Sequence, residues 1–184
     1  MYNLLNKLLL ILMNIGTVIV AIFEFSNQDF SRLITFVAIF PVLLVPFLLN
    51  KTKFKLNEFE ICMYYLFIFL AEFLGCVVNL YNIISWYDLF VHFLSGIFTF
   101  VLGFILLKRL NGYNSNKIIN IIFCLGVVAI VALFWEIFEF SMDNLIDSNL
   151  QHNLYTGVND TMEDLIVATL GGGISSLYMF FKKI

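Results

Sequence analysis

Six long apolar segments limit what this chain can become. Their approximate spans are 5–25, 32–50, 58–81, 86–107, 117–142 and 161–181. Each reaches the ~20 residues that cross a ~30 Å hydrocarbon layer as a helix. Inside lipid there is no water to satisfy backbone groups, so such segments must be helical however rich they are in Val, Ile and Phe. Of the 184 residues 61% are hydrophobic and only 12% charged, and the mean hydropathy is +0.96. That leaves too few polar side chains for the surface of a soluble domain of this size. The expectation is an all-α, polytopic membrane helix bundle forming one integral domain over 1–184. Its first partner is the lipid bilayer.

Charge then orients the helices. Nine of the ten Lys and Arg residues fall on alternate connections: Lys7; Lys51, Lys53 and Lys55; Lys108, Arg109 and Lys117; Lys182 and Lys183. Only Arg32 departs from this. Under the positive-inside rule these ends are cytoplasmic, giving six transmembrane helices with both termini inside a cell (plasma) membrane. Lys7 before an apolar run imitates a signal peptide. The run has no small-residue cleavage site and continues into Glu24-Phe25, so it reads as a retained helix. Tyr81, Trp86, Tyr87 and Trp135 suit an outer aromatic belt. Pro41 and Pro46 fall within helix 2, where prolines are tolerated. Cys62, Cys76 and Cys124 lie in apolar runs without paired spacing and read as small buried side chains. No basic patch suggests nucleic acid.

The acids gather on the other side. Glu136, Glu139 and Asp143 close the fifth segment at i, i+3 and i+7, which places them on one helical face. Asp88 and His92 open the fourth segment, and Asp160 and Asp164 open the sixth, both at i, i+4. Glu72 is placed roughly 15 Å deep in the third, if that helix runs to residue 81. Ionisable groups in a membrane are costly and mark functional sites by default. Like charges on one face need a cation, shared protons or basic partners, and the only bases on this side are Arg32 and His152. Several carboxylates with one imidazole suit a divalent metal (Mg, Mn, Fe or Zn), with Asp88, His92, Glu136, Glu139, Asp143, Asp160 and Asp164 as candidate ligands. Glu72 and Glu139 are the candidate general bases.

Structural readings compete with this. Ser85-x-x-Asp88 and Asp160-x-x-Glu163 have the form of capping boxes. Asp143 suits the interface. The polar connection 143–160 is either a lid or a solvated loop. Gly96, Gly103 and Gly171–Gly173 favour close helix packing. Asp88-Leu-Phe-Val-His-Phe-Leu-Ser-Gly96 echoes Asp164-Leu-Ile-Val-Ala-Thr-Leu-Gly-Gly172, as a duplicated hairpin would.

Taken together, Asp88-x3-His92-x3-Gly96, Trp135-Glu136-x2-Glu139-Phe140, Asp143, Gly157-x2-Asp160-Thr161-x2-Asp164 and Leu170-Gly171 resemble the YjdF-like family of bacterial inner-membrane proteins. The resemblance runs over about 85–175. More distantly the chain is similar to VanZ-like proteins, which implies a role in the cell envelope. Three functions stay open. One is a metal-dependent enzyme acting on a lipid or lipid-linked envelope precursor. The second is a cation- or proton-coupled transporter or channel. The third is a non-catalytic lipid- or partner-binding protein.

Overall fold

The computed structural model describes residues 2–28, 32–52, 54–146 and 158–182. These residues form α1 (Tyr2–Ser26), α2 (Leu33–Leu49), α3 (Glu58–Ile68) continuing as a π-helix (Phe69–Val77), a short α4 (Leu80–Ile83), α5 (Tyr87–Arg109), α6 (Lys117–Ile146) and α7 (Val158–Phe181). Five helical stretches are long and apolar enough to cross a membrane: Tyr2–Ser26, Glu58–Val77, Tyr87–Arg109, Lys117–Leu145 and Val158–Phe181. The sixth apolar segment, α2, has 17 residues, about 25 Å at 1.5 Å per residue. The chain is therefore an all-helical, polytopic membrane protein. It divides into two compact units, Met1–Tyr87 and Asp88–Ile184.

In the first unit, polar side chains complete the backbone. Leu9, Met13, Phe36, Ile39, Leu43, Tyr65, Ile68, Phe73 and Val77 form the core. Pro46 has no N–H, so the carbonyl of Val42, four residues back, loses its helical donor. The Tyr64 hydroxyl supplies it at 2.7 Å. Asn57 caps α3 by accepting from the Phe59 and Glu60 amides, and Glu60 accepts in return from the Asn57 amide at 3.0 Å. The Asn6 amide reaches the Glu58 carbonyl at 3.0 Å and its carboxylate at 3.2 Å.

The third apolar segment departs from the expected helix to residue 81. It changes to π-helix at Phe69 and ends with the Val78 amide bonded to the Phe73 carbonyl at 2.8 Å. Asn79 then takes a left-handed φ of 73°, which Asn tolerates better than most residues and which stops the helix. Glu72 consequently lies five residues before the helix end, roughly 8 Å by the helical rise rather than 15. Arg32 closes this end. It pairs with Glu24 and donates to the Cys76 and Val77 carbonyls at 2.8 and 3.1 Å.

In the second unit, glycines set the spacing. A Cβ on Gly96 would run into the Ala168 carbonyl, and one on Gly171 into the Phe93 carbonyl. The contact between α5 and α7 is thus reciprocal, Gly96 facing Ala168 and Gly171 facing Phe93. The echoed pair Gly96 and Gly172 takes part in the contact, since a Cβ on Gly96 would also lie 3.0 Å from the Gly172 backbone nitrogen. Gly172 and Gly103 pack on α6: added Cβ atoms would lie 3.1 Å from Val128 and 3.2 Å from Val127. Phe100, Cys124, Val128 and Met179 form the core. At one end of this unit Lys117 donates to the Lys182 carbonyl at 2.6 Å, satisfying an orphan acceptor beyond α7. The acidic side chains stand at the other end.

Candidate metal centre

The close approach of α5 and α7 assembles the site. His92 lies one turn before Gly96, and Asp164 one turn before Ala168. Side chains on a helix lean toward its N-terminus, so the two meet just beyond the backbone contact. His92 Nε2 lies 3.8 Å from Asp164 Oδ2 and 3.6 Å from Asp88 Oδ1. Ligand atoms of Asp88, His92 and Asp164 all fall within 4.8 Å of one another. Two ligands each ~2.1 Å from a metal stand roughly 3–4 Å apart, so modest side-chain adjustment would let these three share an ion.

Burial makes the arrangement costly without a cation. The Asp164 side chain is 2% exposed, and neither of its oxygens accepts a hydrogen bond. Glu136 on α6 is 4% exposed, and both of its oxygens are likewise buried without a donor in bonding geometry. Thr161 stands beside it. Glu139, one turn on and also buried, accepts from the Trp135 indole N–H at 2.8 Å. Asp88, Asp160, Glu136 and Glu139 all act electrostatically on Asp164. His92, Asp164, Glu139 and Glu136 stand roughly 8–15 Å in from the helix ends, counted at 1.5 Å per residue, whereas Asp88 and Asp160 lie in the first turns of α5 and α7.

Of the seven expected ligands, three therefore meet at coordinating distance, and Glu136, Glu139 and Asp160 are near enough to act electrostatically on Asp164 without joining that group. Asp143 belongs to neither grouping among the described residues. Because α6 runs on to Ile146 rather than stopping at 142, Asp143 lies inside the helix, half-buried, one turn past Glu139. The expected capping boxes shift as well. α7 begins at Val158, which makes Asp160 its third residue rather than its cap. α5 begins at Tyr87, so Ser85 is not adjacent to the first helical residue. Glu72 belongs to the first unit, on the π-helix. His152 and the connection 147–157, including Gly157, lie outside the described residues.

Two participants were not singled out by spacing. Trp135 reads as a belt residue, yet its i, i+4 relation to Glu139 is the signal that it orients that carboxylate. Thr161 sits inside the quoted motif but has no role until Glu136 is seen beside it.

The chain matches the family described as predicted membrane protein (DUF2238) over residues 6–183, and it belongs to that family. The match extends through the first three helices, which the sequence motifs did not reach. It is 30% identical over 118 residues to an uncharacterized protein of Thermotoga maritima, covering 63% of this chain and 59% of that protein's length. No solved structure matches it.

Proposed function

We propose that this member of the DUF2238 family binds a divalent metal ion through Asp88, His92 and Asp164, and that it uses the ion for chemistry on a lipid or lipid-linked envelope precursor in the plasma membrane. One observation carries the reading: Asp164 is buried on both oxygens without a donor, 3.8 Å from the imidazole of a neighbouring helix. Burying a carboxylate unpaired is prohibitive, and a shared cation offsets that cost. One His with two Asp suits Zn, Mn or Fe better than an all-oxygen Mg site.

A metal there would polarise a phosphoryl or carbonyl oxygen and lower the pKa of a bound water. Glu139, oriented by Trp135, is the general base in this reading. Exposed apolar side chains around the site, among them Phe134, Phe138 and Ile137 on α6, suit lipid chains beside it. The resemblance to VanZ-like proteins is the support for an envelope substrate, and the Lys/Arg sorting is the support for a site on the outer side.

Equilibrium dialysis of the detergent-purified protein against Zn²⁺ and Mn²⁺ tests the binding. Wild type should retain metal. Asp164→Asn should bind at least about 100-fold more weakly, because losing even an outer-shell partner costs 10–100-fold. No retained metal in the wild type sinks the proposal. A second reading, cation or proton movement, is favoured by Glu136 and Asp164 both lying donorless within membrane-spanning helices. Metal-loaded protein that turns over no lipid phosphate or ester, but carries ions into liposomes, would replace the enzyme with a transporter.

A further inference from the structure

α1 carries a polar side chain where the membrane offers it nothing. Asn14 stands at the midpoint of the helix Tyr2–Ser26, about 18 Å from either end at 1.5 Å per residue. An asparagine amide has two N–H donors and a carbonyl acceptor. One N–H of Asn14 bonds the Leu10 carbonyl of its own helix at 2.7 Å, and the side chain makes no other hydrogen bond among the described residues. The second N–H and the carbonyl oxygen are therefore unmet. Asn120 on α6 shows the contrast. Its side-chain carbonyl accepts from the Asn114 backbone amide at 2.9 Å, and its N–H donates to the Asn114 carbonyl at 2.7 Å. No water at mid-membrane stands in for such partners, so an open amide there is costly.

Asn14 lines a groove with Ile15, Val18 and Ile19 of the same helix and Phe40 of α2. Those four apolar side chains are all exposed. The groove therefore opens to lipid, while Leu9, Met13 and Thr17 are buried on the other side of α1. Polar side chains in membrane helices ordinarily face the bundle interior or a water-filled cavity. Asn14 does neither.

Complementarity selects the occupant. A lipid chain fills an apolar groove but has neither donor nor acceptor for the amide. An amide carries both, so it is complementary to another amide. Copies of one chain inserted the same way round are related by an axis along the membrane normal. Rotation about that axis keeps every residue at its own depth, so it brings Asn14 to Asn14. A partner of another sequence has a matching group at that depth only by coincidence. A single asparagine in an apolar helix contact also fixes register and copy number.

We propose that the groove between α1 and α2 is a self-association surface. A second copy of this chain docks there about a two-fold axis along the membrane normal, and the two Asn14 amides exchange N–H···O=C hydrogen bonds. Ile15, Val18, Ile19 and Phe40 pack around the pair. The surface belongs to the first unit, and the proposal is independent of the metal centre.

Energy transfer between donor- and acceptor-labelled copies of the full chain in liposomes, followed as the protein is diluted in lipid, tests this. Wild type should show transfer that falls on dilution and is linear in acceptor fraction, as a dimer requires. Asn14→Leu should weaken association about 10-fold, the loss of two interhelical bonds of ordinary membrane strength. Asn14→Gln, which keeps donor and acceptor, should recover most of it. Val18→Trp fills the groove and should also weaken pairing, whereas Ile166→Trp, at an exposed position on α7, should not. Thermal unfolding of Asn14→Leu in the dilute, monomeric range should match wild type, because the amide bonds only its own helix. Wild type that stays monomeric at every protein-to-lipid ratio overturns the proposal. Association that Asn14→Leu leaves unchanged also overturns it, by putting the contact on another face. Transfer that requires more than two copies overturns the two-fold pair. The wild-type measurement decides these points even if a variant fails to fold.

Discussion

Glu58 and Glu60 in the first unit and Glu136 and Asp164 in the second are acids on apolar helices, but their partners differ. Glu58 accepts from Asn6, and Glu60 closes a capping box with Asn57. Glu24 is paired with Arg32. Glu136 and Asp164 are buried like Glu60, whereas Glu58 is exposed, and neither has a donor in bonding geometry, although Thr161 lies beside Glu136. A membrane protein keeps polar side chains either to finish the backbone or to hold something else. Whether both oxygens of a buried acid lack a donor separates the two uses, and by that criterion the proposed site falls in the second unit, since Glu24 leaves only one oxygen without a donor.

The largest effect should come from the glycine contact that brings His92 to Asp164. Gly171→Ala sets a methyl against the Phe93 backbone carbonyl, which no rotamer change relieves. It should cost about 3 kcal/mol as overpacking and weaken metal binding at the same time. Gly173→Ala is the control, since an added Cβ there meets nothing within 4 Å. It should leave metal binding unchanged and raise stability by about 0.5–1 kcal/mol through helix propensity. Thermal unfolding and metal titration of both variants check this. If both behave alike, the contact does not set the site.

Arg32 tests the other side of the comparison. Arg32→Ala leaves the half-buried Glu24 without its cation and takes a donor from two carbonyls at the π-helix end. The expected loss is about 2 kcal/mol, below the 3–5 of a fully buried pair because both side chains retain some solvent. Glu24→Gln on that background should recover part of it. Metal affinity should stay at the wild-type value. A fall in metal binding would mean that the first unit is not merely scaffold.

How much of this the sequence disclosed follows from the physics of each signal. Hydrophobic length showed the six helices, because a spanning segment must be long and apolar. Helix ends were less legible. α6 outran its apolar stretch by four residues and α7 began three residues early, since polar residues continue a helix as readily as they cap one. The π-helix had no signature, as Phe69–Val77 is ordinary apolar sequence. The acids were placed at one end of the second unit by periodicity alone. Which of them meet was not readable, because that depends on which glycines touch across α5 and α7. The small residues were noted for packing, but which of them touch, Gly96 against Ala168 and Gly171 against Phe93, appears only in three dimensions. Asp143 shares the face of Glu136 and Glu139 by spacing, but the three residues that meet at coordinating distance are Asp88, His92 and Asp164.

The smallest effect is the most exacting check on the scaffold reading. The Tyr64 hydroxyl donates to the Val42 carbonyl, which is free to accept because Pro46 has no N–H to offer it. Tyr64→Phe should therefore cost about 1 kcal/mol, the net value of one such bond. Membrane hosts give somewhat less, near ~0.6 kcal/mol on average. Pro46→Ala returns a backbone donor to Val42, so on that background the hydroxyl becomes redundant and Tyr64→Phe should cost almost nothing. The coupling in this double-mutant cycle measures whether a tyrosine replaces the amide that proline removed. Full additivity would show that Tyr64 contributes by packing alone, and one of the first unit's polar groups would lose its backbone role. Pro41 supplies the internal comparison. Its orphaned carbonyl belongs to Val37, to which Tyr64 does not donate, so Pro41→Ala should leave the cost of Tyr64→Phe unchanged.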